Sequence, residues 1–313
     1  MDGWDRIGRF AAYGAALALT PYALIKVAWV VGSLLGLLPV GAGFGKAEWV
    51  VLNTATIGMA VIGIAVALAL VRPWGMRIPG APFAFCAWVG TGFLVPVLPY
   101  AVLSSLLGSG DGSPEKDGDA GPSMPVWEAA LVQMGFVGMG LGLALALPMY
   151  VRRRWPEMFA GRLGDGGGGS PRVPSWTTVV GPVVGSVWLY WAFGGTVGVA
   201  RLGDRDLTWH LLSGVLGVWA WVASATMWAT LRGRPARVPR WGPTALGWLG
   251  SGSLFAWSGW KLPFTVYLAI ARPADATLPE NLALAAALHL AAVATGITML
   301  RSLVHTRPVP TAP

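Results

Sequence analysis

The chain has 313 residues, of which 55% are hydrophobic and only 12% charged, with a mean hydropathy of +0.60. Soluble domains carry about 25% charged residues, so this composition excludes an ordinary soluble protein and predicts an all-α, multi-pass membrane protein. The net charge of +8 does not indicate a nucleic-acid partner, because the basic residues stand in short turns between apolar segments. One cysteine and three histidines predict no disulfide, metal site or cofactor.

Eight apolar segments are each long enough to cross a bilayer, which takes about 20 residues. The first begins at Phe10 and continues to about Val40, which is too long for the hydrophobic part of a signal peptide. The predicted spans cover residues 10–40, 49–71, 82–107, 125–151, 176–200, 208–231, 242–270 and 278–303.

The basic residues predict the orientation of these spans. Connections on one side carry 15 Lys and Arg residues and those on the other carry 5. Short cytoplasmic loops hold the excess of positive charge, so both termini are predicted to be cytoplasmic. The preference for Arg over Lys, with abundant Ala and Gly, indicates a bacterial protein, and the predicted location is the plasma membrane.

An internal repeat organises the chain, because the segment 72–92 recurs 160 residues later as 232–252. The identical pairs are Arg72/Arg232, Arg77/Arg237, Pro79/Pro239, Trp88/Trp248, Gly90/Gly250 and Gly92/Gly252. We therefore predict two tandem four-helix repeats, 1–151 and 176–313. Since four is an even number, the two repeats are parallel, which disfavours an inverted-repeat transporter.

Two connections have unusual compositions. The join at 152–175 contains the run Gly164–Ser170, which lacks the Lys and preceding strand of a phosphate-binding loop. It is predicted to be a flexible, Gly-rich cytoplasmic linker. The external loop Gly108–Met124 is acidic and is predicted to be disordered, and its spacing fits no EF-hand.

The polar residues within the predicted spans concentrate in their outer half, which predicts an outward-facing cavity between the two repeats. Tyr22, Lys26 and Trp29 follow helical spacing and share one face of the first span. Charged residues inside a membrane are costly and are functional candidates by default. The alternative is that each lysine extends to the interface beside aromatic residues. The predicted ligand-binding residues are Tyr22, Lys26, Trp29, Trp188, Trp191, Trp257, Lys261 and His289.

Two glutamates open the fourth and eighth spans and are candidate acids for catalysis. Glu128 and Glu280 occupy corresponding places in the two repeats. Two carboxylates in differing environments can divide acid and base roles. An acidic residue in the first turn of a helix more often complements the helix dipole. A lone histidine such as His289 likewise more often forms a hydrogen bond between helices.

Four pairs of glycines spaced by four residues predict close helix packing or oligomerisation. They are Gly32/Gly36, Gly138/Gly142, Gly181/Gly185 and Gly194/Gly198. Oligomerisation through these helices, with a second copy or another protein, is the alternative to packing within the chain.

Three functions follow from these features. The first is binding or transport of a small lipophilic or anionic ligand in the outward cavity. The second is a membrane-embedded, acid-catalysed enzyme, of cyclase type, acting on a lipid or isoprenoid. The third is a structural or partner-binding membrane subunit. The lipid bilayer is a predicted partner in each.

Overall fold

The computed structural model describes residues 3–40, 45–107, 126–154, 156, 161–165, 176–271 and 278–305. These residues form eight α-helices, and no strand occurs among them, so the all-α class is confirmed. The helices are α1 (Gly3–Leu34), α2 (Lys46–Ala69), α3 (Gly80–Leu107), α4 (Val126–Arg154), α5 (Thr177–Ala192), α6 (Leu207–Arg232), α7 (Trp241–Ala271) and α8 (Leu282–His305). The acidic loop and most of the predicted linker lie outside the described residues.

Six of the helices in the described part are long and apolar enough to cross a membrane, namely α1, α2, α3, α4, α6 and α8. This supports a multi-pass membrane protein. Helix α5 has 16 residues and is about 24 Å long, which is shorter than a hydrocarbon core of about 30 Å. Helix α7 has 31 residues, but serines and a lysine reduce its apolar character.

Local capping explains where several helices begin and end. At the start of α6, the Oδ1 of Asp206 accepts a hydrogen bond from the backbone N–H of Trp209 at 2.7 Å. The helix ends at Gly233, whose φ of 58° is in the left-handed region that glycine adopts readily. Helix α5 ends at Ala192 instead of the predicted Ala200, because Gly194 and Gly198 also have positive φ angles.

The first compact unit comprises Met1–Ala87 and Ser109–Arg154, in which α1 packs along α2 and α4. The connection from α2 to α3 contains a 3-10 turn, Pro73–Met76. Arg154, the last residue of α4, donates hydrogen bonds to the carbonyl oxygens of Gly75 and Ile78 at 3.1 and 2.7 Å. The hydroxyl of Tyr150 donates to the same Gly75 carbonyl at 3.1 Å. The end of α4 therefore holds this connection in place.

The second compact unit comprises Trp88–Gly108 and Trp155–Pro313 and contains α5–α8 with most of α3. Its core is formed by residues from α5, α6, α7 and α8, among them Trp188, Trp191, Met227, Leu254 and Met299. Within this unit, Gly92 of α3 and Gly252 of α7 approach so closely that neither position has room for a side chain. The indole N–H of Trp88 donates to the hydroxyl of Ser251 at 3.1 Å beside this contact.

The four glycine pairs have two different roles. A Cβ added at Gly142 would lie 2.6 Å from the carbonyl oxygen of Ala11, and one at Gly185 would lie 2.9 Å from that of Gly217. The pairs at 138/142 and 181/185 therefore allow close packing of α4 on α1 and of α5 on α6. The helix-packing interpretation is wrong for the other two pairs, because Gly36, Gly194 and Gly198 lie beyond helix ends, with φ between 72° and 92°.

Candidate functional site

The predicted site residues of the first unit form an aromatic cluster around a lysine. Tyr22, Lys26 and Trp29 lie on one face of α1, and all three are buried. The Lys26 side chain is only 2% exposed, and its Nζ lies 4.3 Å from the centre of the Trp29 ring and 5.7 Å from that of Tyr22. A cation at this distance from an aromatic face is attracted to the ring. The lysine is therefore enclosed by protein and does not extend toward solvent.

Trp29 links this lysine to two neighbouring helices. Its ring stacks on that of Trp49 from α2, with centroids 5.6 Å apart. Its indole N–H donates to the Oε1 of Glu128 on α4 at 3.2 Å. The half-buried Glu128 carboxylate thus accepts a hydrogen bond that ties α4 to α1.

One further polar group in the first unit has an unusual environment. Asn53 of α2 is buried, and its Nδ2 donates to the carbonyl oxygen of Trp49 at 2.8 Å. Its Oδ1 is buried and has no hydrogen-bond partner among the described residues. A buried acceptor of this kind is a natural position for an ordered water or a donor group of a ligand.

The second unit contains a similar cluster of tryptophans and a glutamate. The rings of Trp191 on α5 and Trp209 on α6 lie 6.1 Å apart. The indole N–H of Trp209 donates to the Oε1 of Glu280, just before α8, at 2.7 Å. The indole N–H of Trp191 donates to the carbonyl oxygen of Val197 at 2.8 Å. Both predicted catalytic glutamates therefore accept hydrogen bonds from tryptophans.

A histidine and a serine meet in the interior of the second unit. The Nδ1 of His289 on α8 lies 3.2 Å from the Oγ of Ser258 on α7, and both residues are buried. The ring of Trp188 lies 6.1 Å from that of His289. Ser258 is not recognisable from the sequence, because its partner is 31 residues away and no spacing rule connects the two residues.

The remaining predicted residues lie elsewhere on α7. The indole N–H of Trp257 donates to the carbonyl oxygen of Phe93 at 3.1 Å. Lys261 is half-buried, and its carbonyl oxygen accepts a hydrogen bond from the Thr265 hydroxyl at 2.8 Å. Lys26 belongs to the first unit and Lys261 to the second, so a cavity shared by the two lysines stays a prediction.

Neither a metal site nor a comparison with known proteins adds a function to these residues. In the described ranges, no group of three or more His, Cys, Asp or Glu residues is placed to hold a metal ion. No protein-family model, curated protein or solved structure matches this chain.

Proposed function

We propose that this chain is an eight-span bacterial plasma-membrane protein of two parallel four-helix repeats with cytoplasmic termini, which binds a small lipophilic anion in its outer half. The ratio of 15 to 5 basic residues in the predicted connections supports the orientation. Spanning by α5 and α7 is part of the proposal, since the six apolar helices do not include them.

Contacts between residues that the alignment pairs support the repeat. Trp29 and Trp49 in the first unit correspond to Trp191 and Trp209 in the second, and each pair lies ring to ring. Glu128 and Glu280 also correspond, and each accepts an indole hydrogen bond. The paired glycines 92 and 252 contact each other, as equivalent residues do beside a twofold axis.

The observation that carries the binding proposal is the burial of Lys26 among aromatic rings. Removing an ammonium group from water costs free energy. In this protein the ammonium group of Lys26 is already buried in the folded state, so a ligand does not have to dehydrate it. An anion that reaches Nζ therefore interacts with a dehydrated charge in a medium of low dielectric constant, where attraction is stronger than in water. Tyr22 and Trp29 supply apolar surface for a lipophilic group.

The contacts of the two glutamates favour binding over acid catalysis. Each carboxylate joins two elements through a tryptophan N–H: α1 to α4 in one unit, and α6 to the start of α8 in the other. A structural role accounts for these contacts without a substrate. We therefore assign Glu128 and Glu280 a structural role, in which each carboxylate connects two elements of its unit.

The test is binding of hexyl phosphate to the purified protein in dodecyl maltoside, compared with hexyltrimethylammonium as a cation of similar size. We expect selective binding of the phosphate, and we expect Lys26→Met to weaken it by about tenfold to a hundredfold, because a charged hydrogen bond contributes about 1.5–3 kcal/mol. Since Lys26 is enclosed, helices must move apart to admit the ligand, and association should be slow.

Arg9→Met is the control, because Arg9 is an exposed basic residue of α1, the helix that carries Lys26. It should bind hexyl phosphate as the wild type does. Equal binding of both amphiphiles, or unchanged affinity in Lys26→Met, would contradict the proposal and favour a purely structural lysine.

A further inference from the structure

An open groove lies where the end of α1 meets the start of α2. It has a volume of about 420 Å³ and is lined by Leu34, Lys46, Ala47, Val50 and Val51. This volume is within the range of about 300–1,000 Å³ that small-molecule sites have. The groove belongs entirely to the first unit, and none of its lining residues belongs to the site around Lys26.

The groove is apolar except at one edge. Four of its five lining residues are apolar, and Leu34 and Val51 remain 55% and 69% exposed. Lys46 is the charged member of the lining, and its Nζ donates to the carbonyl oxygen of Leu34 at 3.3 Å. That carbonyl belongs to the last turn of α1, where helix carbonyls lack partners within the helix. The ammonium group is therefore held beside the groove.

Glu48, the carboxylate closest to Lys46 in the sequence, does not line this edge. Glu48 is two residues beyond Lys46, and residues at this spacing do not share a helix face. The Oε2 of Glu48 accepts a hydrogen bond from the backbone N–H of Gly45 at 3.1 Å, at the start of α2. The carboxylate is thus directed to the helix terminus, and Glu48 is not among the residues that line the groove.

We propose that this groove binds one acyl chain of an anionic phospholipid whose phosphate pairs with Lys46. The helices around the groove are apolar enough to lie in a membrane, so the occupant of an exposed apolar groove there is a lipid chain. A single lysine at its edge complements a negative headgroup. The positive end of the α2 dipole, where Lys46 is the first residue, favours the same charge.

Native mass spectrometry tests this proposal on the full chain, released from nanodiscs that contain equal amounts of phosphatidylglycerol and phosphatidylcholine. We expect the wild type to retain phosphatidylglycerol about fivefold more often, since one lysine near a membrane surface contributes about 1 kcal/mol to anionic-lipid binding. Lys46→Gln should abolish this preference. Arg201→Gln is the control and should keep it, because Arg201 is exposed and does not line the groove.

A second variant tests the groove itself. Ala47→Trp places a large ring among the lining residues and should reduce retention of both lipids without loss of helix content. Glycerol phosphate, which has the charge but no chain, should not displace the bound lipid. An unchanged preference in Lys46→Gln, full retention in Ala47→Trp, or displacement by glycerol phosphate would each overturn the proposal.

Discussion

The two tryptophan–glutamate clusters differ in which tryptophan donates to the glutamate. In the first unit, Trp29 of α1 donates to Glu128, whereas in the second unit Trp209 of α6 donates to Glu280. The proposed repeat instead pairs Trp29 with Trp191. Helix α5 ends at Ala192, and the loop beyond it brings the carbonyl of Val197 to the Trp191 N–H. The N–H of Trp191 is thus bound by this loop, and the glutamate of the second unit is held by Trp209.

The clusters also differ at one interior position. The proposed repeat pairs Lys26 with Trp188, so the first unit encloses an ammonium group where the second encloses an indole ring. Trp188 is part of the hydrophobic core of the second unit and faces His289. Within the proposed repeat, positions 26 and 188 are therefore where the chemistry of the two units differs.

The largest loss of stability is expected when Trp188 is replaced by lysine, the residue type found at position 26. Trp188→Lys removes a large core side chain and introduces a charge beside His289, which should destabilise the protein by about 3–5 kcal/mol. Thermal unfolding in dodecyl maltoside, followed by circular dichroism, measures this. Trp176→Lys, at an exposed position just before α5, is the control and should have little effect. A mild effect of Trp188→Lys would mean that the second unit also accepts a buried charge.

The next largest loss of stability is expected at Gly142, where α4 packs closely on α1. Gly142→Leu forces a side chain against the backbone of Ala11 and should destabilise the protein by about 3 kcal/mol. Gly14→Leu on α1 is the matched control, because no atom lies within 4 Å of a Cβ at that position. Equal melting temperatures for the two variants would show that α1 and α4 are not closely packed.

Removing the negative charge tests the two glutamate contacts without changing side-chain size. Glu280→Gln should cost about 2 kcal/mol and Glu128→Gln about 1 kcal/mol, since the first hydrogen bond is 2.7 Å long and the second 3.2 Å. The unfolding transitions of both variants, measured under identical detergent conditions, give the order. The reverse order would indicate that Glu128 is the more tightly held carboxylate.

The smallest effect is expected at two glycines beyond helix ends, which the proposed repeat pairs with each other. Gly36→Ala should cost about 1 kcal/mol, because its φ of 72° is unfavourable for residues with a side chain, although space around it is open. Gly198→Ala has the same conformational cost and also contacts Leu284, so its melting temperature should be lower. Identical melting temperatures would mean that the Leu284 side chain moves aside freely.

The sequence was informative where an apolar segment is one continuous helix. The segment predicted as 208–231 is the helix Leu207–Arg232, which the structure shows to be capped by Asp206 and Gly233. It was misleading at α5, where Gly194 and Gly198 were interpreted as a packing motif although their positive φ angles belong to a loop. Glycine serves both purposes, and spacing alone does not distinguish them.

The candidate site was predictable along single helices and not between them. Tyr22, Lys26 and Trp29 follow from helical spacing, so their common face was expected. The contact between Ser258 and His289 depends on how α7 lies against α8, and no local pattern encodes that alignment. The hydrogen bond from Trp29 to Glu128 joins residues 99 positions apart, so no local pattern predicts it either.

The hydrogen bonds of Arg154 set an order for the assembly of the first unit during synthesis. Its guanidinium group binds carbonyl oxygens near Gly75 and Ile78, which leave the ribosome more than 70 residues earlier. Until α4 has been made, those carbonyls depend on water or lipid headgroups for partners. A nascent chain that stops before Arg154 therefore lacks the hydrogen bonds by which this guanidinium group holds the turn between α2 and α3.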